Sequence, residues 1–258
     1  LRKIVWFSCG AASAVAAKIA TQQYDDCLVA YCDTSSTEHP DNLRFLRDVE
    51  KWIGQPILML KSDKYKDTWD VWNKTRYLVG VAGARCTSEL KRAVREKFQR
   101  EDDIHVFGYT LEERHRAERF EKSYPELDAQ WILIENELSK DDCLGFLWKA
   151  GIEIPAMYKL GFRNNNCIGC VKGSSGYWVK TRKIFPEVFK RMALLERELN
   201  VAINKKYVKG ERVRVFLDEL PENAGRYEDE PDISCGIMCQ SAYDGLEIEP
   251  IELPECET

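Results

Sequence analysis

Short apolar runs alternate with longer amphipathic stretches over the first 150 positions. Ile4 to Phe7, Cys27 to Cys32, Pro56 to Leu60 and Ile104 to Phe107 are nearly unbroken, the pattern of strands buried on both faces of a parallel sheet. Trp131 to Ile134 reads as a fifth strand. Between them lie stretches with helical spacing. Ala14 to Ala20 is rich in alanine, and Pro40 to Ile53 carries Pro in its first turn with Leu43, Leu46, Val49 and Ile53 on one side. Ser88 to Phe98 is charged and amphipathic, Leu111 to Phe120 is more highly charged, and Ser139 to Ala150 opens on a good N-cap residue. Asp70 to Arg85 is aromatic and supports either state. The alternation predicts an α/β fold with a doubly wound, mostly parallel, Rossmann-like sheet.

From about Ile154 the rhythm changes. Gly161 to Cys170 is a polar loop ending in C-x-x-C, and Gly173-Ser-Ser-Gly176 follows it. Ile184 to Leu199 predicts a long helix, and Val213 to Leu217 a short strand or helix. Past Pro221 the chain is acidic and irregular. The expected division is a core over 1–160 and a cysteine-bearing C-terminal region over 161–258.

Composition narrows the classes. A 44% hydrophobic and 31% charged chain of 258 residues with net charge −5 is expected to be a globular protein with an ample core, not a general coat for polyanions. No window reaches the length of a membrane span and no basic-then-apolar leader opens the sequence, so a cytoplasmic protein without membrane contact is expected. Because the first residue is Leu, an initiator Met is expected upstream. Ten cysteines in a reducing compartment point to metal or redox chemistry rather than a disulfide framework. The three histidines have no paired metal spacing, so any metal is expected on sulfur.

In parallel sheets ligands gather beyond the C-terminal ends of the strands. Four polar features fall there: Ser8-Cys9-Gly10-Ala11-Ala12-Ser13 after the first strand, Asp33-Thr34 after the second, Arg85-Cys86-Thr87 at the start of a helix, and Gly108 to Arg116 after the fourth. The first is built of small residues ahead of a helix, a place where backbone N–H groups welcome phosphate or sulfate. Each feature alone reads equally well as an ordinary turn or cap; their alignment favours a site. Cys167 and Cys170 are the strongest metal signal, since two thiolates at this spacing grip one ion or one cluster face. Two assemblies compete: Cys86 with Cys167 and Cys170 around an iron–sulfur cluster, or zinc held by Cys167, Cys170, Cys235 and Cys239. The first is favoured because Cys86 sits in a polar turn. Cys9, Cys27, Cys32 and Cys143 lie in or beside strands or a helix, where an inert buried thiol is the default. Cys235, followed by Gly, is equally a metal ligand or a nucleophile.

With these residues in view, the chain resembles the phosphoadenosine phosphosulfate reductase-like branch of the adenine nucleotide alpha-hydrolase (pyrophosphatase-loop) superfamily, from Ile4 to about Cys170. Ser8, Gly10 and Ser13 match its S-G-G-x-D-S phosphate loop, while Cys9 replaces a Gly and Ala12 the acidic residue. Asp33-Thr34 stands at its Asp-Thr turn, and Glu38-His39-Pro40 is similar to its acidic-then-Pro step into the next helix. Arg85-Cys86-Thr87-Ser-Glu-Leu90-Lys91 is similar to its Arg-(Trp)-Cys-Thr-x-x-Leu-Lys segment. Gly108, Glu112, Arg116 and Ala117 resemble its Gly…Glu-x-x-x-Arg-Ala motif, one residue short after the Gly. Tyr158, Gly161, Cys167 and Cys170 match its ending, and Cys235-Gly236-Ile237 is similar to the segment that carries the reductase nucleophile, with Ser234 and Met238 replacing Glu and His.

The resemblance implies an adenine nucleotide (an adenylyl sulfate with or without a 3′-phosphate, or ATP) contacting Ser8, Cys9, Gly10, Ser13, Asp33, Thr34, Arg85, Gly108 and Glu112. It implies a 4Fe–4S cluster on Cys86, Cys167 and Cys170, with Cys239 a further candidate ligand. Cys235 would be the nucleophile, Arg116 and Lys91 would steady the sulfate, and a thiol reductant such as thioredoxin would release sulfite. The alternatives are an ATP-dependent sulfurtransferase thiolating tRNA or DNA, against which the Ala12 replacement counts, and a non-catalytic nucleotide-binding module stabilised by zinc.

Overall fold

The computed structural model describes residues 1–80, 83–208, 211–230 and Ile233. Five strands, β1 (Lys3–Phe7), β2 (Cys27–Cys32), β3 (Leu58–Leu60), β6 (Ile104–Phe107) and β7 (Asp128–Gln130), form one all-parallel sheet in the order β3-β2-β1-β6-β7. Val79–Gly80 (β4) and Gly83–Ala84 (β5) form a small hairpin, and Asn204–Val208 (β8) with Glu211–Val215 (β9) a second one. Lys3 pairs with Cys27 on one side and Ile104 on the other, so β1 is central and the strand order reverses beside it. That reversal opens a crevice at the strand ends.

Alternation along the central strands divides the core. Val5, Phe7, Val29, Tyr31 and Val106 point to one face, where they meet α1 (Ala11–Gln23), α2 (Asn42–Ile53) and α8 (Lys140–Lys149) through Ala14, Ala17, Phe45, Val49, Cys143 and Leu147. Ile4, Trp6, Ala30, Cys32 and Phe107 point to the other, covered by Val94 of α5 (Ala93–Phe98) and Ala117 and Phe120 of α6 (Arg114–Ser123). Helices therefore cover both faces of the sheet. The alanines of α1 let its backbone lie close to β1, and Ser139 caps α8 by accepting from the Asp142 N–H, as its sequence position suggests.

The expected strand over Trp131 to Ile134 is a correction. The edge strand is the preceding Asp128–Gln130, and Ile132–Glu135 forms a helical turn, α7. Trp131 and Ile134 enter one core while Ile132 and Leu133 enter the other. Four apolar residues in a row fit a buried helical turn as well as a strand.

A second core lies beside the sheet. Trp69, Val71 and Trp72 of α3 (Thr68–Thr75), together with Leu78, Ala84 and Leu90, pack against Met157, Phe162, Tyr177 and Trp178, Phe189 and Met192, and Leu217. The later of these belong to α9 (Ala156–Lys159), α10 (Ser175–Ile184) and α11 (Pro186–Leu199) or their flanks. The short α4 (Arg85–Thr87) runs through a π-helical stretch, Ser88–Arg92, into α5. Among the described residues no helix is long and apolar enough to cross a membrane.

Candidate functional site

The turn after β1 is held from within. Ser13 Oγ accepts from the Ser8 N–H at 3.1 Å and donates to the Gly10 carbonyl at 3.0 Å. Gly10 is an extended N-cap with no side-chain cap on α1. The Ala11 N–H is met by Tyr158 Oη at 3.3 Å, and first-turn N–H groups have no intrahelical partner. Ser8 is exposed and Gly10 and Ala12 are half-buried, so this edge faces the opening. Gly108 comes so close that a Cβ there would lie 2.8 Å from Ser13 Cα, which requires glycine. Cys9 turns inward with φ 56°; its thiol is buried, and burial first, then the Glu38 charge, raises its pKa well above the ordinary thiol value.

After β2, Asp33 and Thr34 do different jobs from each other. Asp33 Oδ1 accepts from the Ser35 N–H and Oγ–H, and Lys61 Nζ lies 3.6 Å from its other oxygen. Thr34 is buried and donates its hydroxyl to Glu38. Glu38, itself buried, also accepts from Tyr31 Oη at 2.8 Å and Asn42 Nδ2 at 2.7 Å. Asn42 Oδ1 in turn accepts from Asn165 Nδ2 at 2.8 Å, and the same Nδ2 donates to the Cys9 carbonyl at 2.6 Å. A buried polar chain thus joins the turns after β1 and β2 to the C-x-x-C loop.

That loop is clamped twice more. The Ile168 N–H donates to the Thr37 carbonyl at 2.9 Å, and Thr37 Oγ1 lies 3.5 Å from Cys167 Sγ. On its other side Tyr177 Oη accepts from the N–H groups of Gly169 and Cys170, both at 3.0 Å, and donates to the Cys167 carbonyl at 3.3 Å. Gly169 holds φ +80°, the left-handed backbone that reverses the chain between the two thiols. Cys86 is half-buried against the same core that contains Cys170. Among the described residues no three His, Cys, Asp or Glu side chains come together as a metal-binding group. Cys235 and Cys239 lie outside the described residues.

The expected cations are tied to their own neighbours. Arg85 pairs with Glu89 at 2.8 Å, and Arg116 pairs with Glu113 while its guanidinium sits 4.3 Å from the Tyr109 ring centroid. Lys91 is half-buried, and its charge acts on the Cys9 and Cys32 thiols, which puts it on the sheet side of the π-helical stretch. Glu112 accepts from the Lys140 N–H at the head of α8. The first turn, Asp33-Thr34 and the C-x-x-C loop are therefore brought together by hydrogen bonds, whereas none links Arg85 or Glu112 to the first turn among those seen.

Sequence reasoning passed over Asn42, Asn165, Thr37 and Tyr177. Asn165 is the middle residue of Asn-Asn-Asn ahead of Cys167, a weak signal; nothing in the spacing marks Tyr177. In comparisons with protein families and with characterised proteins, no family model and no relative matches the chain.

Proposed function

We propose that this chain is a sulfonucleotide reductase-like enzyme with an adenine nucleotide alpha-hydrolase type of Rossmann-like fold. The observation that carries the reading is the pair of bonds from Asn165, one to the Cys9 carbonyl and one to Asn42, which fasten the thiol-bearing loop to the small-residue turn and to the polar chain behind it. Anion-receiving backbone and sulfur ligands then share one mouth at the strand ends. An adenylyl sulfate would lie with its charged end on Ser8 to Ser13, steadied by Lys91, Arg85 and Arg116 once the arginines leave their carboxylate neighbours. Asn165 Oδ1, buried and without a partner among the described residues, is an acceptor left for a nucleotide hydroxyl or amine.

Cys235 follows Ile233 by two residues, and the Ile233 carbonyl is held by Asn166 Nδ2 at 2.9 Å. Its thiolate attacks the sulfate sulfur; an S–S bond forms, the S–O bond to the nucleotide phosphate breaks, and the nucleotide leaves with the electron pair. A dithiol of the thioredoxin class then attacks the Cys235 sulfur, expels sulfite, and ends as a disulfide while Cys235 returns to thiol. Thiols working in this way suit a reducing, cytoplasmic setting.

Cys167 and Cys170, with the left-handed Gly169 between them, fit one face of a metal centre, and Cys86, which borders the same core, and Cys239 are the candidates to complete it. A 4Fe–4S cluster held there would supply a polarising, redox-active centre, and zinc would supply a structural cross-link. Cys235→Ser should abolish sulfite release while leaving nucleotide binding intact; unchanged turnover refutes the assignment.

A second reading has its own support. On the β8–β9 hairpin Lys205 pairs directly opposite Arg214, and both are exposed together with Lys206. Like charges placed opposite each other are unfavourable unless an anion joins them. Such a ribbon suits a tRNA or DNA substrate of an ATP-dependent sulfurtransferase, which would release pyrophosphate from ATP; the reductase would not.

A further inference from the structure

The Gly173-Ser174-Ser175-Gly176 turn heads α10, whose N-cap Ser174 makes no side-chain cap. A distant carboxylate takes that place. Glu230 Oε1 accepts from the Gly176 N–H at 2.6 Å, and Oε2 accepts from the Ser174 N–H at 3.2 Å and from the Ser174 hydroxyl. The backbone follows the side chain down. A Cβ on Gly176 would lie 2.6 Å from the Arg226 carbonyl oxygen, and one on Gly225, whose φ is +72°, 3.1 Å from Gly176 N. Glycines at both positions let the two chains touch.

From this seat the chain runs as a strap along the C-x-x-C loop. The Arg163 guanidinium donates to the Glu230 carbonyl at 2.6 Å and to the Glu228 carbonyl, and the Arg163 N–H donates to Tyr227 Oη at 2.8 Å. The Tyr227 ring packs edge-on to Phe162, with the Lys180 ammonium 4.2 Å from its centroid. Asn166 then holds the Ile233 carbonyl. A small cavity between strap and loop is walled by Tyr177, the clamp of the C-x-x-C turn, and by Tyr227, Glu230 and Ile233.

Three of these contacts are to main-chain carbonyls of the strap, which any sequence in the same conformation would offer. Side chains hold such a segment against slipping: Tyr227 Oη meets one donor, the Arg163 N–H, whereas the Glu230 carboxylate meets three. Glu230 has a socket, with three donors and Gly176 directly against its carboxylate. The geometry points to Glu230 as the residue that sets the register of the strap formed by residues 226–230 and Ile233 on residues 163–166, and so fixes where the segment bearing Cys235 begins. It touches no substrate and is a positioning residue. The inference rests on the reductase reading for its chemical consequence, but not for the strap itself.

The two parts separate experimentally in the full chain, using Glu230→Ala and the milder Glu230→Gln, which keeps one acceptor. Hydrogen exchange in Glu230→Ala should rise by about tenfold or more at Ser174, Gly176 and across 226–230, and stay unchanged in β1 and β2. Glu230→Gln should fall between. Unchanged exchange in Glu230→Ala overturns the latch whatever the activity. In sulfite release from adenylyl sulfate, Glu230→Ala should lower kcat by about tenfold with KM for the nucleotide within about twofold, and Glu230→Gln should recover part of it. A freed strap with unchanged kcat, or a loss confined to KM, overturns the positioning role. No sulfite from the wild-type protein removes the reductase reading, and with it the positioning role, while the exchange result still decides the latch.

Discussion

Two turns flank the proposed site, and each is held by a tyrosine hydroxyl. Tyr158 accepts from the Ala11 N–H at 3.3 Å and is also approached by the Asn165 backbone, and no side chain caps α1. Tyr177 meets two N–H groups and one carbonyl, so the C-x-x-C turn is fully tied before anything binds. Burial pushes the Tyr158 hydroxyl up to about 12 and raises that of Tyr177 as well, so both stay protonated at ordinary pH. The contrast separates a turn held by one long bond, where the proposed anion would sit, from a C-x-x-C turn whose backbone is already matched inside the fold. Donors that are unmatched inside the fold are available to a ligand; donors that are matched confer rigidity.

The largest effect is expected on the platform. Tyr177→Phe strands two buried N–H groups and a carbonyl, and should cost about 2–4 kcal/mol in denaturant unfolding while loosening any metal held by Cys167 and Cys170. A cost as small as that of Tyr158→Phe would erase the distinction between the turns. Gly108→Ala comes next, because its methyl group meets the backbone at Ser13; about 1–3 kcal/mol should be lost, with weaker binding of adenine nucleotides by titration calorimetry. Tyr158→Phe should cost only about 1 kcal/mol, since the bond to the Ala11 N–H is long at 3.3 Å, and should leave nucleotide affinity nearly unchanged. Smallest is Cys9→Gly. Relief of its left-handed backbone offsets loss of a buried thiol, so stability should move by less than about 1 kcal/mol in either direction.

The sheet was largely legible because its central strands are buried on both faces and their side chains must be apolar. Ile4 to Phe7 and Cys27 to Cys32 announce themselves in this way. The edge strand Asp128–Gln130 does not, being exposed in part, and the apolar run beside it drew the strand assignment to Trp131–Ile134. Asn204–Val208 carries lysines on an isolated hairpin and gave no strand signal. At the site, loops at strand ends follow from topology, so Ser8 to Ser13 and Asp33-Thr34 could be placed in advance. Linking Glu38, Asn42 and Asn165 could not be foreseen, because the chain joins segments far apart in sequence and each residue alone reads as a cap or a loop residue. The second core shows the same limit, since α3 packs with helices more than a hundred positions away.

The reductase reading places a sulfur–sulfur bond on one residue. Mixing the full-length protein with adenylyl sulfate in the absence of thiol reductant, then mapping peptides by mass spectrometry, tests this directly. The expected result is a single added sulfonate group on the peptide containing Cys235, lost on adding dithiol. No adduct, or an adduct at another cysteine that persists in Cys235→Ser, would contradict it.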